Sequence, residues 1–307
     1  MIEILAGTHG GCRVFTDTGE SKVELAGKKV GVLAPEAHGA AIAIVEGGEI
    51  WRRYRPGEWV QVVKTDLSLL SIVSLGRNFF ASMMGEATMV HIAPGEKPQR
   101  LTGFDDVPGR AEWFPQGPPL HVRALTATSD GSALLAVVHV GGIPRSSNGG
   151  KTWAPTIPVM SDVHDIEAHP SDPKIVAAAA AVGLCVSRDG GCTWNIFSEG
   201  FGGTTALESL AVAVLDWEVL FSVQEGGAFA KRSQVWRWGI GDKQVEQVQE
   251  ELPEYLVGKI DTNLLAGAKN RAAVVDGGGN LWLSSEGLKG WKHLSSNLKY
   301  ANSLLVV

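Results

Sequence analysis

Several histidines and acidic residues in this chain have the chemistry of a metal site or of an acid–base pair. Imidazole is a common metal ligand and is the side chain that titrates nearest to neutral pH, and a carboxylate beside it completes either kind of site. The residues predicted to share one rim of the fold are His9, His121, His139, His164, Asp165 and Glu208. The candidate catalytic residues are His9, His139, His164 and Glu208, and the three histidines are also the candidate ligands of a divalent metal. No His-x-x-x-His or similar local spacing supports a metal, so the alternative is a set of unrelated loop histidines hydrogen-bonded to carbonyl groups or water.

A second group of side chains is predicted to contact a ligand at the same rim. It consists of His121, Arg123, Asp165, Trp113 and Tyr255. Trp113 lies in the proline-rich interruption 93–120, which cannot belong to a central strand because proline lacks the amide donor. Tyr255 lies in a second long connection, 241–263. The alternative for these segments is an outer strand with a covering loop, because long loops only sometimes act as lids.

A turn that ends in tryptophan recurs along the chain and indicates which elements must position these residues. The copies are GLCVSRDGGCTW (183–194), GIPRSSNGGKTW (142–153), NLWLSSEGLKGW (280–291) and EIWRRYRPGEW (49–59). In each copy the tryptophan follows the first turn position by seven residues, as Trp194 follows Ser187. The fixed spacing indicates a repeated β-hairpin.

The residue types of the 187–194 copy are those that a tight turn requires. Gly190 and Gly191 supply the positive φ angles, and Asp189 can accept hydrogen bonds from the backbone of its own turn. Thr193 favours the strand that follows, and Trp194 packs its apolar face between neighbouring sheets. The motif is therefore predicted to stabilise the fold and not to carry chemistry.

This motif resembles that of the Asp-box, or BNR-repeat, family, whose pattern is S-x-D-x-G-x-T-W. Residues 187–194 match the pattern in full, and residues 146–153 differ only in having Asn148 in place of Asp. The family includes sialidases, sortilin-type receptors and photosystem II assembly factors, and the resemblance implies a β-propeller. It does not imply sialidase activity, because the family's box lies away from the catalytic face and no arginine triad can be placed in this chain. The basic stretch WRRYR (51–55), the nearest equivalent of the assembly factors' basic patch, is predicted to be a solvated edge.

The spacing of the hairpins predicts an all-β fold with seven four-stranded blades. Third strands are predicted to begin near Cys12, Ile50, Met89, Ile143, Leu184, Val235 and Leu281. The segment NSLLVV (302–307) has the pattern of an innermost strand with no blade after it, and IEILAG (2–7) that of a second strand with no first strand before it. We therefore predict that the C-terminal strand completes the N-terminal blade and closes one domain over 1–307.

Composition limits the partners and the compartment. A net charge of -6 gives no basic face for nucleic acid and no attraction to an anionic membrane surface. The first residues carry no basic segment of a secretory signal, and three cysteines form neither a zinc spacing nor a disulfide framework. These features predict a cytoplasmic, monomeric protein without a cofactor.

Two functions remain open from the sequence. The first is a binding protein whose channel face, rich in loops, recognises a peptide, a protein or a small ligand without catalysis. The second is a hydrolase or lyase in which the rim histidines act as acid–base groups or as metal ligands. No complete catalytic set can be assembled from the sequence, which favours the binding protein.

Overall fold

Seven antiparallel sheets form a ring in the computed structural model, which describes residues 2–36, 40–115, 119–198, 207–249 and 251–307. Blade 1 contains β1 (Glu3–Thr8), β2 (Gly11–Thr16), β3 (Ser21–Glu24) and the C-terminal strand β30 (Ser303–Val306). Blades 2 to 4 contain β4 (Val30–Pro35), β5 (Ala41–Val45), β6 (Glu49–Arg55), β7 (Glu58–Lys64), β8 (Leu69–Leu75), β9 (Asn78–Met83), β10 (Met89–Ile92), β11 (Gln99–Arg100), β12 (Val122–Ala127), β13 (Leu134–Val138), β14 (Pro144–Ser146) and β15 (Ala154–Pro155).

The remaining blades have the same plan, and in blade 6 the innermost and outermost strands are each divided into two short strands. Blade 5 contains β16 (Val163–Ala168), β17 (Val176–Ala180), β18 (Gly183–Ser187) and β19 (Asn195–Phe197). Blade 6 contains β20 (Leu207–Glu208), β21 (Val212–Val214), β22 (Glu218–Glu225), β23 (Arg232–Gly239), β24 (Glu246–Gln247) and β25 (Leu256–Val257). Blade 7 contains β26 (Leu265–Ala268), β27 (Arg271–Val275), β28 (Leu281–Ser284) and β29 (Trp291–Ser295). The predicted seven-bladed, all-β fold is confirmed.

Helix is scarce in the described part of the chain. It comprises α1 (Thr102–Asp105) and the short 3-10 turns Arg110–Glu112, Val159–Ser161, Gly227–Phe229 and Glu286–Leu288. Among the described residues, no helix has the length and apolar character needed to cross a bilayer.

The C-terminal strand closes the ring as predicted. β30 pairs antiparallel with β1, in the register Ile4 with Val306 through Gly7 with Ser303. Two further backbone hydrogen bonds join Glu3 and Val307, at 3.0 and 2.9 Å. Neither β1 nor β30 is therefore left as an open edge on this side.

Three second strands, β5, β13 and β17, are apolar along their whole length and are buried on both faces. β5, β13 and β17 have no exposed residue, since each lies between two neighbouring blades. Between blades 4 and 5, for example, Leu135 and Val137 pack in one cluster with Ala178 and Cys185. Small side chains in β17 allow this close packing of two sheets.

The two best copies of the tryptophan turn have one hydrogen-bonding pattern. Ser187 Oγ accepts the amide hydrogen of Gly191 at 2.7 Å and donates to Asp189 Oδ1 at 2.8 Å. The same carboxylate accepts the amide hydrogens of Cys192 and Thr193 at 3.0 and 2.9 Å. As predicted, Gly190 and Gly191 have positive φ angles, of 70° and 85°.

The turn in blade 4 reproduces this network with an amide in place of the carboxylate. Asn148 Oδ1 accepts the amide hydrogen of Thr152 at 3.0 Å, and its Nδ2 donates to the Thr152 hydroxyl at 2.8 Å. Ser146 Oγ accepts the amide hydrogen of Gly150 at 2.9 Å. Both turns connect the third and fourth strands of their blades.

This equivalence gives a first prediction. We expect Asp189→Ala to lower the free energy of unfolding by about 1–2 kcal/mol, because several turn hydrogen bonds are lost at an exposed site. Asp189→Asn should stay within about 0.5 kcal/mol of the parent, because Asn148 fills the same role in blade 4. Urea unfolding of the three proteins measures both values. Equal losses in the two variants would show that the carboxylate itself is required.

A buried ionic network joins blades 1 and 2. Arg53, 2% exposed, donates to both carboxylate oxygens of Glu24 at 2.7 and 2.8 Å and to Glu3 at 2.8 Å. Trp59 Nε1 donates to Glu24 at 2.8 Å, and Lys22 lies 3.1 Å from the same carboxylate. The prediction that WRRYR is a solvated edge is wrong for Arg53, because carboxylates from β1 and β3 compensate its charge inside the protein.

Candidate functional site

The mouth face of the ring is formed by the turns between second and third strands and by the connections between blades. In an antiparallel blade these two kinds of segment must emerge on the same side. His139 follows β13, Asp162 precedes β16, and His121 precedes β12, so all three lie on this face. The tryptophan turns, which join third to fourth strands, lie on the opposite face.

β-Bulges in two innermost strands place two of the functional side chains. Val122 pairs with Val138 while Ala124 pairs with Val137, so Arg123 is an extra residue in β12. In β16 the same irregularity makes His164 the extra residue. A bulge re-aims the side chain that it contains, and bulges are common next to active sites.

These elements bring five residues together at the mouth, which we call the mouth cluster: His121, Arg123, His139, Asp162 and His164. The imidazole centroids of His121 and His139 are 6.5 Å apart, and those of His139 and His164 are 5.8 Å apart. Asp162 Oδ1 lies 3.4 Å from His139 Nε2 and 3.5 Å from His164 Nε2. Both of these histidines are buried.

A hydrogen bond orients the ring of His164. Its Nδ1 lies 2.9 Å from the carbonyl oxygen of Ser209, so Nδ1 carries a hydrogen, and its Nε2 faces Asp162 Oδ1 at 3.5 Å. His121 Nδ1 likewise lies 2.6 Å from the carbonyl oxygen of Pro119. Within the part of the chain described, His139 Nδ1 and Asp162 Oδ1 are buried and have no hydrogen-bond partner. The cluster therefore contains buried polar atoms whose hydrogen-bonding capacity is unused.

Two residues of the cluster region hold left-handed backbone conformations. Asp162 has φ 46° and Val140, directly after His139, has φ 51°. Aspartate tolerates this region, but for a β-branched residue such as valine it is strained. Strained backbone of this kind gathers at functional sites, where the surrounding structure holds it in place.

The electrostatics of the cluster keep His139 neutral. Burial, followed by the positive charge of Arg123, lowers the pKa of His139 to about 4. Burial also lowers the pKa of His121. Burial raises the pKa of Asp162, but interactions with His164, His139 and Arg123 outweigh it, so the net pKa lies below the ordinary value. Near pH 7 the site therefore combines a neutral imidazole with an ionised carboxylate.

The connection from blade 6 to blade 7 reaches across the mouth to this cluster. The Thr262 hydroxyl lies 3.2 Å from the carbonyl oxygen of His164 and accepts a hydrogen bond from Arg123 at 3.1 Å. Asp261 lies 3.7 Å from Arg123 and 2.5 Å from Lys259. Side chains from blades 4 and 5 and from this connection thus form one polar site.

The other candidate residues are not joined to the cluster by any contact among the described residues. His9 is exposed in the turn after β1, and Glu208 lies half-buried in β20 of blade 6. Tyr255 is 42% exposed and stacks under Arg232 at 4.2 Å. Trp113 is buried against Phe104, so its ring is not presented for stacking with a ligand.

Asp165 lies next to the cluster, but its carboxylate is used by the backbone. It accepts amide hydrogens from Ile166, Val212 and Asn263 at 2.9, 3.3 and 3.4 Å. Burial raises its pKa to about 7 despite these three hydrogen bonds. We interpret Asp165 as a connector of blades 5, 6 and 7 beneath the mouth.

Asp162 is the residue of the mouth cluster, besides those predicted, that the sequence analysis did not single out. It stands two positions before His164 in the segment DVHD (162–165). The available signal was its residue type, because aspartate is one of the few residues that readily occupy a left-handed turn position.

The loops of the mouth face also expose large apolar side chains. These are Met84, Phe114, Met160, Phe229, Tyr255 and Tyr300, which are 40–90% exposed. They come from the connections or turns of several different blades. The polar cluster is therefore accompanied on its face by exposed apolar groups.

Comparisons with known proteins support the fold. No family model matches the chain, and no curated protein matches it. Among solved structures, the periplasmic gluconolactonase PpgL of Pseudomonas aeruginosa has a TM-score of 0.69 at 12% identity, covering 100% of this chain and 99% of that one. The designed protein Ika8 has a TM-score of 0.56 at 16% identity, with 95% and 83% covered.

A glycoside hydrolase is also similar in structure over part of its length. The GH74 enzyme of Niastella koreensis has a TM-score of 0.60 at 12% identity and covers 94% of this chain, which spans 46% of that enzyme. At such identities the likeness shows the fold alone. By its fold the chain belongs to the class of seven-bladed β-propellers, a class that serves both binding proteins and enzymes.

Proposed function

We propose that this chain is a binding propeller that holds a small, polar, anionic ligand at the mouth cluster. The observation that carries the proposal is the convergence of Arg123 with three imidazoles and a carboxylate on one face. Fold-level kinship with Asp-box proteins and a cytoplasmic location are parts of the same proposal. The three cysteines, which are unpaired, agree with a reducing compartment.

The chemistry of the cluster suits a ligand that carries a carboxylate and hydroxyl groups. Arg123 is the cation, and a guanidinium can hold a carboxylate through two parallel hydrogen bonds. The neutral ring of His139 and the imidazole of His164 can exchange hydrogen bonds with hydroxyl groups. The similarity in fold to a gluconolactonase makes sugar acids the first compounds to test.

Titration calorimetry of the full chain with D-gluconate, D-glucuronate and citrate tests this proposal. We expect Arg123→Gln to weaken binding by about 10- to 100-fold, because a charge-assisted hydrogen bond contributes about 1.5–3 kcal/mol. Arg77→Gln is the matched control, since Arg77 is an exposed arginine in the turn between β8 and β9, on the opposite face. Equal affinity in both variants, or no binding of any of the three acids, would contradict the proposal.

The second candidate function is a hydrolase or lyase. The observation that favours it is the position of Asp162 beside His139 and His164. Histidines and carboxylates are the side chains that act as acids and bases in such reactions, and they must lie within hydrogen-bonding reach of the proton that is transferred. A pKa of about 4 makes His139 a weak base near pH 7, which favours binding over acid–base catalysis by this residue alone. Adding glucono-1,5-lactone to the titration distinguishes the two candidates, because only a hydrolase will release acid faster than the spontaneous hydrolysis of the lactone in a blank without protein.

A further inference from the structure

We propose that His139, Asp162 and His164 form a binding site for one divalent first-row transition metal ion, with its remaining coordination positions open to the mouth. This inference adds a cofactor to the site described above. It rests on the proposed function only in that the ion would lie at the site proposed to bind the ligand. His164 lies in β16, His139 in the turn after β13, and Asp162 in the connection before β16.

The distances between the candidate ligand atoms fit a metal ion better than they fit hydrogen bonds. Asp162 Oδ1 lies 3.4 and 3.5 Å from the Nε2 atoms of His139 and His164, well beyond the usual 2.9 Å of an N–H···O bond. Tetrahedral zinc with ligands at about 2.0–2.2 Å separates neighbouring ligand atoms by about 3.3–3.5 Å. One ligand atom from each of the three residues lies within 4.8 Å of the other two, which is the spacing that a shared metal ion requires.

The state of each ligand atom agrees with this interpretation. His164 donates its Nδ1 hydrogen to the carbonyl oxygen of Ser209 at 2.9 Å, which is the second-shell contact that orients metal-binding histidines. Asp162 Oδ1 is buried without a hydrogen-bond partner in the described structure, and His139 is 8% exposed with Nε2 directed at that oxygen. A buried acceptor left without a partner is destabilising, and an ion bound there would remove that cost.

The charges around the proposed ion are compatible with an anionic ligand bound to it. Arg123 contacts Thr262 at 3.1 Å and Asp261 at 3.7 Å, so a negative side chain balances its charge on the side of the connection. Two imidazoles and one carboxylate leave at least one coordination position to water or substrate in catalytic zinc sites. A carboxylate ligand could therefore contact the ion and Arg123 together.

The test is a titration of the full chain with Zn²⁺ after treatment with a chelator and its removal, repeated with Co²⁺ followed by visible absorption. We expect one ion per chain and a d–d spectrum of low-symmetry Co²⁺. His139→Asn, Asp162→Asn and His164→Asn should each weaken binding by more than about 100-fold, since loss of a second-shell contact alone costs 10- to 100-fold. The matched control is His293→Asn, an exposed histidine in β29 outside the mouth cluster, which should bind like the parent.

The outcomes separate this inference from the proposed function. If the chelated chain takes up no ion, or the three variants bind as the parent does while urea unfolding shows them folded, the metal site is wrong. Binding of D-gluconate by the chelated chain would then still support the proposed function. Stoichiometric metal binding with no response to any sugar acid would leave the metal site standing and overturn the proposed function.

Discussion

Deletion of residues 302–307 is expected to abolish cooperative folding. Leu304, Leu305 and Val306 are 3–6% exposed, and burial of such side chains stabilises by about 1.5–3 kcal/mol each. The sum is comparable to the whole stability of a typical domain, about 5–15 kcal/mol. The deletion also leaves β1 with an unpaired edge.

Polar contacts make this loss larger than the apolar burial indicates. Ser303 Oγ donates to the carbonyl oxygen of Gly31 at 2.7 Å and accepts the amide hydrogen of Leu33 at 3.0 Å, so it joins blade 1 to blade 2. Asn302 Nδ2 donates to the carbonyl oxygen of Val30 at 2.8 Å. Without these residues the first two blades lose a direct link beside the channel.

Circular dichroism melting and size-exclusion chromatography of the truncated chain measure the effect. The graded control is deletion of Val307 alone, which removes two backbone hydrogen bonds with Glu3 and should cost about 2 kcal/mol while leaving the fold intact. A truncated chain that melts cooperatively near the parent temperature would show that the ring does not depend on this closure.

Replacement of Arg53 by methionine is the second large effect that we expect. Removing one partner of a buried ion pair leaves an uncompensated charge and costs about 3–5 kcal/mol. Here the orphaned groups are the carboxylates of Glu24 and, in part, Glu3. Arg55→Met in the same strand is the matched control, because Arg55 pairs with Glu58 at the surface and such pairs contribute about 0–1 kcal/mol.

The effect of Arg53→Met should depend on pH. Burial opposes the charge of Glu24, but hydrogen bonds from Arg53, Trp59 and Lys22 lower its pKa from the ordinary 4.5 to about 2. Because the pKa of Glu24 is lower in the folded state than in the unfolded state, its ionised carboxylate stabilises the fold above about pH 4.5. This contribution to the free energy of unfolding is lost as the pH falls towards 2. The difference between parent and variant in the free energy of unfolding, measured with urea, should therefore become smaller on acidification. The double variant Arg53→Met with Glu24→Gln should recover part of the stability that Arg53→Met loses. A difference that stays constant with pH would exclude the charge mechanism.

The ring could be predicted from the sequence because its signals are local and repeated. The offset between turn and tryptophan indicated hairpins, and apolar segments of strand length, such as 69–75, fell between them. The two predicted strands at the chain ends lacked partners in their own blades, and pairing with each other satisfied the backbone hydrogen bonds of both. The confirmed pairing of Leu5 with Leu305 rests on that reasoning.

The site was predicted only in part because its geometry depends on irregular backbone. His139 and His164 were expected on one rim, and the structure brings them together. The bulge that re-aims His164, and the left-handed turn that places Asp162 beside it, leave no periodic trace in the sequence. Trp113 is an opposite case, because an aromatic side chain in a long loop has the same sequence signal whether it is buried or presented to a ligand.

The pairing of β1 with β30 also fixes where the two ends of the chain leave the ring. Glu3 and Val307 are hydrogen-bonded to each other at the base of blade 1, on the side away from the mouth cluster. A fluorescent reporter or an immobilisation tag fused at either terminus will therefore lie on the face of the ring opposite the mouth cluster. A chain anchored to a chip by one end will therefore direct the mouth cluster outward.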